Sequence, residues 1–207
     1  LIKTSYKIGN PVRDSISNIK EPFSRFKNRK GPLRLLVVGG SLGAEFFNGI
    51  VPLSIQQMHN KKRPIIIHQS GEKHDKELKA TYKKYGIKAD CRAYLNNIEK
   101  MYEWADLVIA RAGALTVSEF SSAGIASILV PFPFAVDNHQ FYNAKYLSDK
   151  KAARLIIQEE LTVKDLSDCL QSMTRDKCLK MAKAALVNII TKPEEVIYRE
   201  CERLIKK

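Results

Sequence analysis

The sequence contains no apolar run long enough to cross a membrane. Its longest apolar stretches are short, such as Leu35 to Val38, whereas a membrane-spanning helix needs about 20 apolar residues. The opening residues, Leu-Ile-Lys-Thr-Ser-Tyr-Lys, also lack the apolar centre of a secretory signal. We therefore expect neither an integral membrane protein nor a secreted one.

Paired cysteines and an excess of acidic residues are also missing. The four cysteines are Cys91, Cys169, Cys178 and Cys201. None forms a C-x-x-C pair, so we expect free thiols in a reducing compartment rather than disulfides or a zinc site. Basic residues outnumber acidic ones by 35 to 22, which gives a net charge of +13. Such a charge suits nucleic acid, anionic lipid, nucleotide phosphate or solubility alone, and does not by itself select a partner.

Buried-strand patterns and helical patterns alternate along most of the chain. Continuous apolar runs bounded by proline or glycine are typical of buried parallel strands. The predicted strands are 33–38, 64–68, 89–94, 106–110, 127–130 and 153–157, and the predicted helices between them are 44–58, 73–85, 98–104, 116–123 and 138–148. The remainder reads as helical. This alternation predicts an α/β fold with one Rossmann-like, doubly wound parallel sheet.

The first thirty residues do not follow that pattern, because they are turn-rich and then basic. Residues 1–8 have the composition of a strand that has no sheet of its own. We interpret residues 1–30 as a connection from an absent N-terminal half, residues 31–191 as the Rossmann-like domain and residues 192–207 as a C-terminal helix.

A glycine-rich turn, Gly39-Gly40-Ser41-Leu42-Gly43-Ala44, stands between the first strand and the next helix. Glycine lets the backbone approach an anion, and the free N–H groups of a helix start favour phosphate. The spacing matches neither the dinucleotide-binding fingerprint nor the Walker motif. Phosphate binding and a purely geometric need for glycine both fit this turn.

A second turn of this kind is Arg-Ala-Gly-Ala-Leu-Thr-Val-Ser-Glu at residues 111–119, which also leads from a strand into a helix. Thr116 and Glu119 have the spacing of a capping box, and spacing alone favours that role for Glu119. The alternative is that the Glu119 carboxylate accepts hydrogen bonds from a ribose diol, as acidic residues do in nucleotide-binding α/β folds.

A polar cluster follows the fifth predicted strand and contains Asp137, His139, Gln140 and Asn143. These groups suit a neutral, hydroxyl-rich ligand, although a solvated helix start has the same composition. His139 has no partner at a metal-ligand spacing, so we expect no metal site. His68 ends the second strand without a nucleophile elbow, and we interpret it as a hydrogen-bonded structural histidine.

Together these segments closely resemble the C-terminal domain of the MurG family, the peptidoglycan N-acetylglucosaminyltransferases with a two-domain GT-B fold. The resemblance runs from Gly9 through the glycine-rich turn, His-Gln-Ser-Gly, residues 111–119 and Asp-Asn-His-Gln to Asn143. Its most specific part is residues 111–119. By this resemblance the chain is one half of a GT-B glycosyltransferase. The family's other half, which binds lipid I and carries the proposed general base, is absent.

The resemblance implies that this half binds the donor, UDP-N-acetylglucosamine. The implied contacts are Arg13, Ser41 and the backbone of Ala114, Leu115 and Thr116 for the diphosphate, Glu119 for the ribose hydroxyls, the backbone of Leu95 for the uracil, and His139, Gln140 and Asn143 for the sugar. The interpretation of Glu119 thereby moves from cap to ligand. One departure is Asn96-Asn97, where the family often has two aspartates, and it matters little if backbone groups read the uracil.

The implied activity is inverting transfer of N-acetylglucosamine to the C4 hydroxyl of the muramyl residue, which converts lipid I to lipid II in peptidoglycan synthesis. The resemblance implies no cofactor. It places the enzyme peripherally on the cytoplasmic side of the bacterial inner membrane, against its anionic surface and without nucleic acid. The alternatives are a stand-alone, non-catalytic UDP-sugar-binding module and, more distantly, charge-driven nucleic-acid binding, for which no base-reading motif is visible.

Overall fold

The computed structural model describes residues 9–186 and 193–205, and the side chains of residues 41–44 are outside the description. The strand predicted over residues 1–8 therefore lies outside the described residues. Within the described ranges, no helix combines the length and the apolar character that a membrane crossing requires.

Six strands form one parallel sheet at the centre of the molecule. They are β1 (Arg34–Val38), β2 (Ile65–Gln69), β3 (Ala89–Arg92), β4 (Leu107–Ala110), β5 (Ser127–Leu129) and β6 (Ala153–Leu155). Their order across the sheet is β3-β2-β1-β4-β5-β6, and every neighbouring pair is parallel. The predicted doubly wound, Rossmann-like sheet is confirmed, with each strand end within two residues of its predicted place.

Helices flank the sheet and connect its strands. They are α1 (Asp14–Ser17), α2 (Pro22–Phe26), α3 (Gly40–Gln57), α4 (Asp75–Lys84), α5 (Ile98–Trp104), α6 (Ala114–Ala123), α7 (His139–Ser148), α8 (Val163–Ser172), α9 (Arg175–Ala185) and α10 (Pro193–Ile205). The helix predicted over 73–85 is divided into a 3-10 turn, Glu72–His74, and α4.

Two of the predicted helices begin earlier than expected. α3 starts at Gly40 instead of Ala44, and the positive φ of Gly40, 65°, turns the chain from β1 directly into the helix. α6 starts at Ala114 instead of Thr116, because Gly113 has the extended backbone of an N-cap residue. In both cases, residues that were predicted to form a loop form the first turn of a helix instead.

Both faces of the sheet are buried, as continuous apolar strands require. On one face the strands pack against α3, α4, α8 and α9, with Phe47 and Tyr82 in that part of the core. On the other face they pack against α1, α5, α6 and α7, with Phe120 and Leu147. Helices therefore cover the sheet on both faces.

Residues 9–30, predicted to be a connection, pack closely on the domain through α1 and α2. Ile16 of α1 is fully buried in the α6 face of the core, and Phe26 of α2 belongs to the opposite core. The domain boundary predicted at residue 30 stays a prediction, and the one at residue 191 lies outside the described residues.

Asp106 lies just before β4 and is buried between two arginines. Its Oδ1 accepts a hydrogen bond from Arg29 at 2.5 Å, and its Oδ2 accepts from Arg175 at 3.1 Å and from the backbone N–H of Arg34 at 3.0 Å. Arg175 also donates to the Pro32 carbonyl. The carboxylate thus joins β1, β4, α9 and the segment before β1, and removing one partner would leave a buried charge uncompensated.

Gly124 ends α6 at a point where three elements meet. Its φ is 61°, and an added Cβ would lie 2.7 Å from Pro22 Cγ and 2.9 Å from Leu186 Cγ. Gly86 has a similar φ of 64°, yet an added Cβ would have no neighbour within 4 Å. The two glycines share the backbone requirement and differ in available space.

Replacing Gly124 with alanine should lower the free energy of unfolding by about 2–5 kcal/mol. The left-handed backbone accounts for roughly 1–2 kcal/mol and overpacking for roughly 1–3 kcal/mol. Gly86→Ala is the matched control and should lower the free energy of unfolding only by the backbone contribution of roughly 1–2 kcal/mol. Urea unfolding of both variants measures the difference, and equal losses would contradict the close approach of α2 and α9 to Gly124.

Candidate functional site

The candidate site lies where the strand order reverses, between β1 and β4. α3 follows β1 and α6 follows β4, so the N-termini of these helices lie side by side at the carboxyl edge of the sheet. Open α/β sheets bind ligands at such a switch point, and helix N-termini carry a partial positive charge. Both glycine-containing turns therefore lie at the same edge of the sheet.

The glycine-rich turn supplies the start of α3. Gly39 is its N-cap, and no side chain of the described part of the chain caps the helix there. Ser41 lies in the first turn, but its side chain is outside the description. The contact between Ser41 and a diphosphate therefore stays a prediction.

The second turn gives α6 a different start from the one the spacing predicts. Gly113 is the N-cap, which makes Thr116 the third helical residue and places Glu119 well inside the helix. The capping-box interpretation of Thr116 and Glu119 is therefore wrong. Within the ranges described, no side chain caps α6. Its first backbone N–H groups are left for an anion or for water.

The Glu119 carboxylate is held by two side chains from other elements. Arg13, just before α1, donates to its Oε1 at 3.1 Å. Tyr102 of α5 donates to its Oε2 at 3.0 Å. Burial raises the pKa of Tyr102 well above its ordinary value, and the nearby carboxylate raises it further. The tyrosine is therefore a neutral hydrogen-bond donor at physiological pH.

Arg13 reaches the site because the chain before α1 lies along α6. The Asn10 side chain donates to the Ser118 hydroxyl at 3.0 Å, and Ile16 anchors α1 in the core. The Arg13 side chain itself is 64% exposed, whereas that of Glu119 is only 17% exposed. Two residues separated by 106 positions in the sequence, and both predicted to contact the donor, are thus brought together.

Gln140 and Asn143 of α7 hold the loop that precedes α6. Gln140 Oε1 accepts hydrogen bonds from the backbone N–H groups of Ala112 at 3.2 Å and of Phe132 at 3.0 Å. Asn143 donates to the Ala112 carbonyl at 3.0 Å. Both residues therefore lie at the site, but these atoms bind the protein's own backbone. Their predicted contact with a sugar stays a prediction.

His139, the third residue predicted to contact the sugar, is exposed at the start of α7. Its Nδ1 lies 2.7 Å from the Val136 carbonyl oxygen, which fixes the direction of the ring. Among the described residues, no group of three or more histidine, cysteine, aspartate or glutamate side chains is arranged to hold a metal ion.

Arg111 is the residue of this edge whose role the sequence analysis missed. Its guanidinium donates to the carbonyls of Val130 at 3.1 Å and Pro131 at 3.0 Å, and to the Gln158 side chain at 2.6 Å. It also lies over the rings of Phe46, Phe47 and Phe132. Burial lowers its pKa to about 10. The arginine holds together the loops after β4, β5 and β6, and only the full set of neighbours reveals this.

The other predicted contacts lie along the same edge. Leu95, between β3 and α5, is half-buried and packs against the core. Ala114 and Leu115 are exposed in the first turn of α6, where 66% of Leu115 is accessible, and Thr116 is half-buried. Their assignments to the uracil and the diphosphate concern backbone groups and stay predictions.

His68 has a structural role, as the sequence analysis inferred. It is fully buried, and its Nδ1 lies 2.9 Å from the hydroxyl of Tyr82. Burial lowers the pKa of His68 to about 3, so the ring is neutral at physiological pH. The histidine links β2 to α4.

Comparison with known proteins identifies the family. Residues 34–197 match the glycosyltransferase family 28 C-terminal domain. The chain is 45% identical over 208 residues to a UDP-N-acetylglucosamine--N-acetylmuramyl-(pentapeptide) pyrophosphoryl-undecaprenol N-acetylglucosamine transferase of Dechloromonas aromatica, covering all of this chain and 58% of that protein. A protein of the same name from Nitrosospira multiformis is 48% identical over 174 residues, which are 84% of this chain and 49% of that protein.

A solved structure agrees with these sequence matches. The crystal structure of Acinetobacter baumannii MurG superposes with a TM-score of 0.77 at 35% identity, covering 82% of this chain and 49% of that one. The chain spans about half the length of the relatives it matches. By its family match and its fold, the chain belongs to glycosyltransferase family 28 and carries that family's C-terminal domain.

Proposed function

We propose that this chain is the donor-binding half of an inverting glycosyltransferase that takes N-acetylglucosamine from UDP-N-acetylglucosamine and converts lipid I to lipid II. The names of the relatives from Dechloromonas aromatica and Nitrosospira multiformis support this donor and a lipid-linked muramyl acceptor. The acceptor and its general base belong, in this proposal, to an N-terminal half.

The observation that carries the proposal is the place of Glu119. Its carboxylate lies at the switch point, on the helix whose N-terminus no described side chain caps, and is paired with the exposed Arg13. A carboxylate further along a helix whose start is positively polarised matches the two ends of a nucleoside diphosphate, because the ribose offers hydroxyl donors and the diphosphate offers negative charge.

The chain's contribution to chemistry is to stabilise the leaving group. As the acceptor hydroxyl attacks the anomeric carbon, negative charge develops on the departing UDP. The N-termini of α3 and α6, together with Arg13, supply fixed positive charge at that place. Gln140 and Asn143 keep the loop before α6 in position, so little rearrangement is needed during the reaction. No cofactor and no metal ion form part of this proposal.

The proposed setting is the cytoplasmic side of the bacterial inner membrane, where the lipid-linked acceptor is found. The net charge of +13 favours contact with an anionic membrane surface. The enzyme would be peripheral there, and nucleic acid is not a proposed partner.

Replacing Glu119 with glutamine should weaken UDP binding by about 1–3 kcal/mol, because charge-assisted hydrogen bonds to the ribose are lost. Stability should change by less than about 1 kcal/mol, because the Arg13 side of the ion pair is exposed and a glutamine oxygen can still accept the hydrogen bond from Tyr102. Glu77→Gln makes the same charge change on an exposed side chain of α4 and serves as the control. Titration calorimetry and thermal unfolding measure both quantities. A lower melting temperature with unchanged UDP affinity would show that Glu119 has a purely structural role.

The transfer reaction tests the half-enzyme proposal against a stand-alone binding module. These 207 residues should not transfer radiolabelled N-acetylglucosamine from its UDP donor to a lipid I analogue. Fusing the N-terminal half of the Dechloromonas aromatica relative should restore transfer, because effective molarities of roughly 10⁵–10⁸ M require both reactants in place. Turnover by the isolated chain would contradict the proposal that an N-terminal half supplies the acceptor site and the general base. A fusion that binds UDP and never transfers would favour the binding module.

A further inference from the structure

The two oxygens of the Glu119 carboxylate have different surroundings. Oε2 faces the interior, where it accepts the hydrogen bond from Tyr102. Oε1 faces the exposed side and is paired with Arg13, whose side chain is 64% accessible. Because the Arg13 side of this ion pair is exposed, the pair contributes little stability, so a ligand can displace it easily. The buried hydrogen bond is much less open to exchange.

Tyr102 is well suited to hold the inner oxygen in one place. It is 2% exposed, and its ring packs edge-on against Phe120 of α6 with the ring centroids 5.4 Å apart. The ring therefore has little freedom to move, and its hydroxyl stays protonated. Tyr102 also lies on α5, which directly follows the loop that contains Leu95. Its side chain therefore connects this part of the chain to the Glu119 carboxylate.

We infer that Tyr102 is a positioning residue for the donor nucleotide: its buried hydroxyl holds Oε2 of Glu119 so that Oε1 is presented to the ribose hydroxyls. This inference rests on the proposed function. On binding, the ribose takes the place of Arg13 at Oε1, and Arg13 is released toward the diphosphate. Without the tyrosine hydroxyl the carboxylate can rotate, and its hydrogen bonds with the ribose hydroxyls weaken.

The test compares UDP with 2′,3′-dideoxy-UDP, which has no ribose hydroxyl for Glu119 to bind. In Tyr102→Phe the ring packing is kept and only the hydroxyl is lost. UDP affinity should fall by about fivefold to tenfold, the net effect of losing one typical hydrogen bond, while dideoxy-UDP affinity should stay unchanged. The preference for UDP over dideoxy-UDP should therefore fall by the same factor.

Tyr82→Phe is the matched control. It also removes a buried tyrosine hydroxyl, but that hydroxyl contacts His68 on the opposite face of the sheet. This variant should leave the preference between the two nucleotides unchanged, whatever it does to stability. Thermal unfolding of both variants shows whether each is folded at the temperature of the titration.

The outcomes separate the inference from the proposed function. A reduced preference in Tyr102→Phe alone supports the positioning role. An unchanged preference, whether both nucleotides weaken equally or neither weakens, overturns it, because a merely structural tyrosine affects both alike. In a Glu119→Ala background, a further fivefold loss of UDP affinity caused by Tyr102→Phe would also overturn it. If the unmodified chain does not bind UDP at all, the proposed function itself fails.

Discussion

The parallel pairing of β1 with β4 is the constraint on which the site depends. The strand order reverses between these neighbours, so the chain leaves both at the same edge and enters α3 and α6 side by side. The proposed contacts with the diphosphate and the ribose follow from this arrangement. The two helix starts offer positive charge, and α6 carries Glu119 further along its length. A different strand order would separate these groups even if each local motif were kept.

Buried charges hold β4 at both of its ends. Before the strand, Asp106 binds Arg29 and Arg175, and after it Arg111 binds backbone carbonyls and three phenylalanine rings. Burying an ion is costly unless its partners are complete, so such groups favour one arrangement over others that leave them unpaired. Asp106 and its two arginines join the segment before β1 to the domain. Arg111 joins the loops around the site.

Much of the fold could be predicted because the central strands contain short, continuous apolar runs with sharp borders, as in β1 and β4. Helix starts were harder, since the first turns of α3 and α6 are rich in glycine and small residues that have no strong helical pattern. The site residues also differ in how strongly a local sequence pattern indicates them. A family resemblance assigned Arg13 and Glu119 separately to the donor, their pairing appeared only in the structure, and spacing alone gave Glu119 the wrong role. The contacts of Arg111, Tyr102 and Gln140 depend on several loops meeting in space, and no local pattern encodes them.

The central claim is that this edge of the sheet recognises a uridine diphosphate. A calorimetric titration of the chain with UDP and with ADP tests it most directly, because the nucleotides share ribose and diphosphate and differ in the base. We expect measurable binding of UDP and much weaker binding of ADP, since the backbone near Leu95 is assigned to the uracil. Equal affinity for the two nucleotides would contradict recognition of the base, and no binding of either would contradict the site itself.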